Sequence, residues 1–447
     1  MYNECISQKK CEQEDAMGRF LNPGNEAFSE VIHSEIYVDK TPLLEYTNRV
    51  ISTTSKFICS SRPRRFGKSI TAEMLSAYYS KGSDSRELFA DYAIHKAESF
   101  EKHLNQYDVI HFDVQWCMMD AGNADCVVEY INHGILQELK EKYGELIPDT
   151  VKTAYGAMSY IKAASGNKFV VIIDEWDVLI RDEAQNHKVQ EEYIDFLRGM
   201  FKGSEPSKYI ALAYLTGILP IKKLKTQSAL NNFEEFTMLD AGRMAPYVGF
   251  TEEEVHDLCD RYGQIYEQVK LWYDGYSLEG YQVYNPKAVV SLMLNGKYKS
   301  YWSNTGSYEA IVPLINMNFD GLRAAIIEMM SGAAVDVDVT SFQNDTVSFA
   351  NRDDVLTYLI HLGYLAYDQD REQVFIPNEE IRHELNNAVK RNKWNEMITF
   401  QKESADLLDA TLDMDEKAVA DGIERIHQEY SLSLIHISEP TRPEPIS

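Results

Sequence analysis

The sequence predicts an α/β fold in which a parallel sheet is followed by a mostly helical α+β region. Three observations carry that expectation. Short apolar runs alternate with helix-periodic segments from residue 56 to 239, the order that a parallel sheet with right-handed crossovers requires. One run, KFVVII at Lys168–Ile173, is nearly continuously apolar, as a central strand covered on both faces should be. A third stretch passes from strand to helix through the basic loop RPRRFGKS, Arg62–Ser69.

The elements follow in order. Lys56–Cys59 (KFIC) is a short apolar strand ending at Ser60 and Ser61. Ile70, Met74, Leu75 and Tyr78 place a helix over Ser69–Lys81, stopped by Gly82. Asp108–Val114 reads as a second strand, and Cys126–Tyr143 and Val151–Ala164 as helices. After the third strand comes an amphipathic helix, Val189–Phe201, then buried strands at Tyr209–Thr216 and Glu235–Leu239. From Thr251 the texture changes: Thr251 with Glu254 forms a capping-box start, and helices dominate to about residue 300. The aromatic loop Leu271–Pro286 is expected to break them. Asp353–Asn378 holds a helix and a strand pair (GYLAYD, then QVFIPN), and Ala405–Glu429 is a helix whose acidic residues 412–416 read as a solvated start.

Composition limits the function classes. At 447 residues the chain suits two or three domains of roughly 100–200 residues. Apolar content of 44% excludes wholesale disorder. The longest apolar stretch, Tyr209–Ile221, contains Gly217 and Pro220 and is shorter than the roughly 20 residues of a spanning helix, so no membrane segment is expected. The six cysteines show no CxxC or Cys/His metal spacing, and with no export signal they predict reduced thiols in a cytoplasm. A net charge of -26 opposes non-specific coating of nucleic acid. The basic residues do cluster once, at Arg62, Arg64, Arg65 and Lys68.

That cluster is the first chemical motif. Arg62 stands where the first glycine of GxxxxGK[ST] belongs, but a strand entering and a helix leaving would point backbone N–H groups at a phosphate. Gly67 permits close backbone approach, Lys68 would reach the β/γ phosphates, Ser69 would ligate Mg2+, and Arg65 joins the phosphate-facing set. The second motif is FVVIIDEWD, Phe169–Asp177. It would deliver Asp174 to the metal shell and leave Glu175 to polarise the attacking water. Thr216, ending the fourth strand, occupies the place of a γ-phosphate sensor, or is simply a β-branched strand residue. Arg198, Lys222, Lys223 and Arg243 are candidate charge stabilisers that nothing local singles out. Glu138 and Lys140 match half of a nuclease motif but sit in a helical segment and read as coincidence. Tyr273, Asp274 and Tyr276 in WYDGY read as an aromatic-packed turn around Gly275 more than as a partner site.

YVDKTPLL (Tyr37–Leu44), SRPRRFGKS, IIDEWD, LTGILPIKK (Leu215–Lys223), NNFEEFTM (Asn231–Met238), WYDGY and VYNP (Val283–Pro286) occur in one order. Together they resemble the bacterial AAA-ATPase-like family, many of whose members carry a C-terminal PD-(D/E)XK nuclease domain. The likeness runs from about residue 17 to 430. It implies a P-loop NTPase sheet of order 5-1-4-3-2 with ATP and Mg2+ as ligands. It also implies a phosphate loop without the first glycine, and adds Asp39 and Lys40, just before the first strand, as nucleotide candidates.

The expected organisation is an extension at 1–16, a P-loop domain at 17–245 and a regulatory region at 246–430. The run from Leu432 to Ser447 resembles the translation of a transposon-type sequencing adapter, so the chain reads as truncated before a nuclease-like domain. The helix before it should expose Leu407, Leu408 and Ile423. The expected function is Mg2+-dependent ATP binding and hydrolysis coupled to conformational change and controlling that missing domain. The alternative is a nucleotide-gated switch with little turnover, against which Glu175 argues. A protein partner or self-association is expected, with nucleic acid reached only through the missing domain.

Overall fold

The computed structural model describes residues 18–221, 230–302, 307–317, 319–344, 349–391 and 407–424. The extension at 1–16, Lys222, Lys223 and the adapter-like run lie outside these residues.

Five strands form the expected parallel sheet: β1 (Phe57–Ser61), β2 (Asp108–Asp113), β3 (Phe169–Asp174), β4 (Ile210–Gly217) and β5 (Glu234–Phe236). Their order is β2-β3-β4-β1-β5, which read from the β5 edge is 5-1-4-3-2. β1, β3 and β4 are buried along their whole length, which is why their sequences are apolar runs without alternation. The in-register pairs Ser60↔Thr216 and Ile173↔Leu215 bring the C-terminal ends of these strands side by side. The connections that leave those ends therefore meet, although they are far apart in sequence.

Helices cover both faces. α1 (Lys68–Tyr79) leaves the basic loop and buries Met74 and Leu75. α2 (Val114–Asp120) follows β2, and α3 (Val127–Tyr143) pairs with α4 (Ala154–Ser165). After β3 come one turn, α5 (Val178–Arg181), and α6 (His187–Phe201). Glu138 of α3 accepts the backbone N–H groups of Arg19, Phe20 and Leu21 at 3.0, 2.9 and 2.7 Å, which fixes it as an anchor for the incoming chain.

Beyond residue 245 the chain forms α7 (Glu252–Tyr262), α8 (Pro286–Asn295), α9 (Arg352–Leu362) and α10 (Glu379–Arg391), among other helices. The Thr251–Glu254 capping box is present at the start of α7. The aromatic stretch expected to be a loop is instead a hairpin of β7 (Tyr276–Leu278) and β8 (Tyr281–Tyr284), with β6 (Phe250–Thr251) on the far side of β8. Glu279 and Gly280 turn it with φ of 51° and 82°, a two-residue connection that matches strand twist. The alternation of buried Tyr276 and Leu278 with exposed Ser277 is too short to register as a period. Gly275 lies at φ 109°, and a Cβ there would stand 2.2 Å from the Pro377 carbonyl oxygen, so WYDGY is a packed turn. The expected pair GYLAYD and QVFIPN appears as β10 (Ala366–Asp368) and β11 (Gln373–Phe375), joined by an unexpected β9 (Val335–Asp336).

The expected final helix is interrupted within the acidic stretch 412–416. Its described part is two segments, 407–412 and 416–424, parted at Met414, whose φ is 56°. Asp415 accepts the N–H groups of Lys417 and Ala418, restarting the helix by competing for backbone donors. Leu408 and Ile423 are exposed as expected, whereas Leu407 is half-buried. No helix of the described residues is long and apolar enough to cross a membrane.

Candidate functional site

RPRRFGKS spans the gap between β1 and α1. Arg62, in place of the first glycine, turns inward: it is fully buried and donates to the carbonyls of Ser61, Phe236 and Thr237 at 3.0, 3.2 and 2.9 Å. It ties the end of β1 to the end of β5, and burial pushes its guanidinium down to about 10. Gly67, the N-cap of α1, has φ 89°, and a Cβ added there would meet nothing within 4 Å. The space over the loop is therefore open at the helix N-terminus, where backbone N–H groups and the helix dipole favour an anion. Lys68 is buried, with Nζ donating to the Pro63 carbonyl at 3.1 Å, while Ser69 is exposed toward the same space.

β3 delivers the acidic pair. Asp174 is buried, and its Oδ1 accepts from Thr216 Oγ1 and from the Glu175 backbone N–H, each at 2.9 Å. Thr216 is fully buried on this bond, so it braces Asp174 and does not reach the cavity as a phosphate sensor would. Glu175 has φ 48°, a costly conformation for a side chain of this kind. One of its carboxylate oxygens lies 3.8 Å from Lys68 Nζ and the other 3.0 Å from Arg181 Nη2. Burial pushes its carboxyl up, and the nearby Lys68 and Arg181 charges oppose the shift.

Glu175 and residues 64–71 of the loop and helix start line a cavity of about 930 Å3. Among the described residues its walls carry six basic side chains, Lys40, Arg64, Arg65, Lys68, Lys287 and Lys299, against the single carboxylate of Glu175. In a chain of net charge -26 that is a strong local reversal of sign. The same lining carries the apolar side chains of Val31, Ile36, Tyr37, Val38, Phe250 and Val290. Positive charge and apolar surface in one cavity fit an anion joined to a flat ring system.

Several expected residues stand elsewhere. Asp39 does not line the cavity, because its carboxylate accepts the N–H groups of Thr41 and Ala93 at 2.8 Å each. Lys40 lines it but is held 2.6 Å from Glu254 and 2.8 Å from the Pro246 carbonyl. Arg65 also lines it, yet Nη1 donates to the carbonyls of Tyr301 and Trp302 at 2.7 and 2.8 Å, away from a phosphate. Arg198 pairs with Asp195 on the surface, and Arg243 is exposed; neither lines the cavity.

Other residues were not readable in advance. Arg181, Lys287 and Lys299 reach the site only through tertiary folding. Glu73, one turn after Ser69, stands near Asp174 and Asp113; burial, then those two charges, push its carboxyl up to about 7. Glu73, Asp113 and Asp174 are thus electrostatic neighbours, although among the described residues no three or more His, Cys, Asp or Glu side chains are grouped so as to hold a metal ion.

Residues 23–226 match the model of a family described as AAA-ATPase_like, Predicted AAA-ATPase. The matched segment contains the basic loop, the acidic pair and Thr216. An Azotobacter chroococcum mcd 1 protein described as an uncharacterized protein in the vnfD 5' region is 24% identical over 396 residues, covering 84% of this chain and 70% of that protein. Two solved structures align more distantly. They are the ORC2 protein of Aeropyrum pernix (11% identity, TM-score 0.37, 80% of this chain and 97% of that one) and Cdc6p of Pyrobaculum aerophilum (8%, 0.30, 81% and 98%).

Proposed function

We propose that this chain binds and hydrolyses ATP with Mg2+, and that the C-terminal half responds to the bound nucleotide. The observation that carries the reading is the convergence of Gly67, Lys68, Ser69 and Glu175 on one cavity that also has apolar walls, with Asp174 next to Glu175 and braced by Thr216. The triphosphate lies over Gly67 and the N-terminus of α1, with the Lys68 ammonium leaving Pro63 for the β/γ phosphates. Ser69 and Asp174 supply hard oxygen donors for Mg2+, which when bound neutralises charge on the phosphates. Thr216 keeps the Asp174 carboxylate oriented, and Glu175 orients and polarises the attacking water. The adenine ring enters the slot between Ile36–Val38 and Phe250, so both halves of the chain contact one ligand.

The regulatory domain at 246–430 belongs to the same reading, because Lys287, Lys299 and Tyr301 wall the cavity from beyond the sheet. The further step, that turnover controls a C-terminal nuclease-type domain, is supported by the motif resemblance alone. It fails if the uninterrupted source gene encodes no such domain.

Calorimetry with Mg·ATP tests the core of the proposal. Lys68→Ala should weaken binding by at least about tenfold through loss of a charge-assisted contact. Equal affinities for the two proteins would sink it.

A further inference from the structure

Arg181 closes the single turn of α5, six residues beyond Glu175 in sequence. Its side chain is only 5% exposed, and its guanidinium is shared among three carboxylates. Nη2 donates to Glu175 Oε2 at 3.0 Å, Nε donates to Asp177 Oδ2 at 3.1 Å, and Nη1 lies 3.8 Å from Asp182 Oδ1. Asp177 is itself fixed. It is fully buried, and the same Oδ2 accepts the backbone N–H groups of Ile218 and Leu219 at 3.1 and 2.9 Å, just past the end of β4. The guanidinium is therefore seated in a frame set by the exit of β4. A solvated i, i+4 pair on a helix surface has no such frame and contributes little. From the C-terminal half, Tyr358 of α9 is a further neighbour within electrostatic reach of the guanidinium.

The unequal distances around Glu175 show what this frame does. Its carboxylate stands at hydrogen-bond distance from Arg181, 3.0 Å, and beyond it from Lys68, 3.8 Å. Take the guanidinium away, and the nearest compensation for a buried Glu175 is the Lys68 ammonium. Closing the gap would draw the carboxylate into the phosphate loop and away from the space where water must be oriented. It would also set Glu175 in competition with the phosphates for Lys68.

We propose that Arg181 is a positioning residue for hydrolysis. It holds Glu175 by one carboxylate oxygen, leaves the other toward the cavity, and keeps the pair Glu175–Lys68 from closing. This rests on the ATPase reading above, in which Glu175 orients the attacking water.

The test is a double-substitution cycle on the full chain: wild type, Arg181→Met, Glu175→Gln, the double variant, and Arg181→Lys as the conservative replacement. Phosphate release is read in single turnovers of γ-labelled ATP at saturating Mg2+, affinity by calorimetry, and stability by urea unfolding. Arg181→Met should lower the hydrolysis rate by about 10- to 100-fold, the scale of a misplaced catalytic group. Affinity should change by no more than about threefold, because the bound phosphates recapture Lys68. Added to Glu175→Gln, the same change should cost nothing further, and Arg181→Lys should recover part of the rate.

A factor equally large in both backgrounds would mean that Arg181 acts independently of Glu175, and overturns the proposal. So does a rate in Arg181→Met equal to or above wild type, which would mark the contact as idle or restraining. If Arg181→Met does not fold, Arg181→Lys combined with Glu175→Gln carries the same comparison. A wild type that binds Mg·ATP but releases no phosphate overturns the hydrolysis reading instead. The cycle in urea unfolding then decides the hold alone: coupling between positions 175 and 181 supports it, and additivity overturns it.

Discussion

At the residue scale, the acidic pair divides its labour by environment. Asp174 is braced by Thr216 and by the backbone of its neighbour, whereas Glu175 is launched from a left-handed backbone position toward two cations. Glu175→Gln keeps the shape and the acceptor oxygen but removes the charge that polarises water. Phosphate release should fall by about two orders of magnitude, with Mg·ATP affinity near that of wild type. Unchanged release in this variant would transfer the role to another group, whereas a wild type that releases no phosphate would leave the binding-switch reading standing. Lys68, Ser69, Asp174 and Glu175 each lie at a fixed offset from a strand end, which is why short-range order in the sequence singles them out as candidates. Asp39 stands off the cavity for a local reason: a short carboxylate beside a turn accepts from nearby backbone N–H groups.

At the element scale, the phosphate loop is stitched to the C-terminal half through one short peptide stretch. Arg65 donates to the carbonyls of Tyr301 and Trp302, and Glu380 of α10 accepts the N–H groups of the same two residues at 2.6 and 3.0 Å. Phe66 adds an edge contact to Tyr276 of β7, with centroids 5.5 Å apart. Glu380 is buried, and burial pushes its carboxyl up to about 7, against the pull of the two N–H groups. The folded protein therefore binds more protons than the unfolded chain between pH about 4.5 and 7, and stability must fall as pH rises through that window. Glu380→Gln retains the acceptor for both N–H groups and cannot ionise. Its stability relative to wild type should improve from pH 5 to 8 and level off, with a limit on the order of 3 kcal/mol. Urea midpoints at several pH values read this directly, and a gap independent of pH would refute it.

At the scale of the whole molecule, one cavity has walls from both ends of the chain. The segment Ile36–Val38 and the loop Arg64–Thr71 come from the sheet half, while Phe250, Lys287, Val290 and Lys299 come from beyond residue 245. A ligand that fills it stabilises both sets of walls by mass action. Mg·ATP should therefore slow amide exchange in α8 and residues 297–302 as well as in the phosphate loop. Protection confined to residues 64–71 would show that the distal wall takes no part in binding. Lys68→Ala should abolish both signals together.

What the sequence by itself determined were the features written in short-range order. The parallel strands show as apolar runs, the phosphate loop as glycine and lysine at a helix start, and the acidic pair as two carboxylates closing a buried strand. The Thr251–Glu254 cap is equally local. Tertiary structure decided what depends on contacts across long stretches of chain. It turned Arg62 and Arg65, neighbours in one basic loop, toward the sheet edge and the C-terminal half, where buried residues present carbonyls within their reach. It made a hairpin of the aromatic stretch, since two strands of three and four residues gain their stability from packing and pairing with β6. It also brought Lys287, Lys299 and Arg181 to the site. A charge carries no local mark of its future partner, and only closure of the sheet and packing of the second half bring these cations to the cavity wall and to the Glu175 carboxylate.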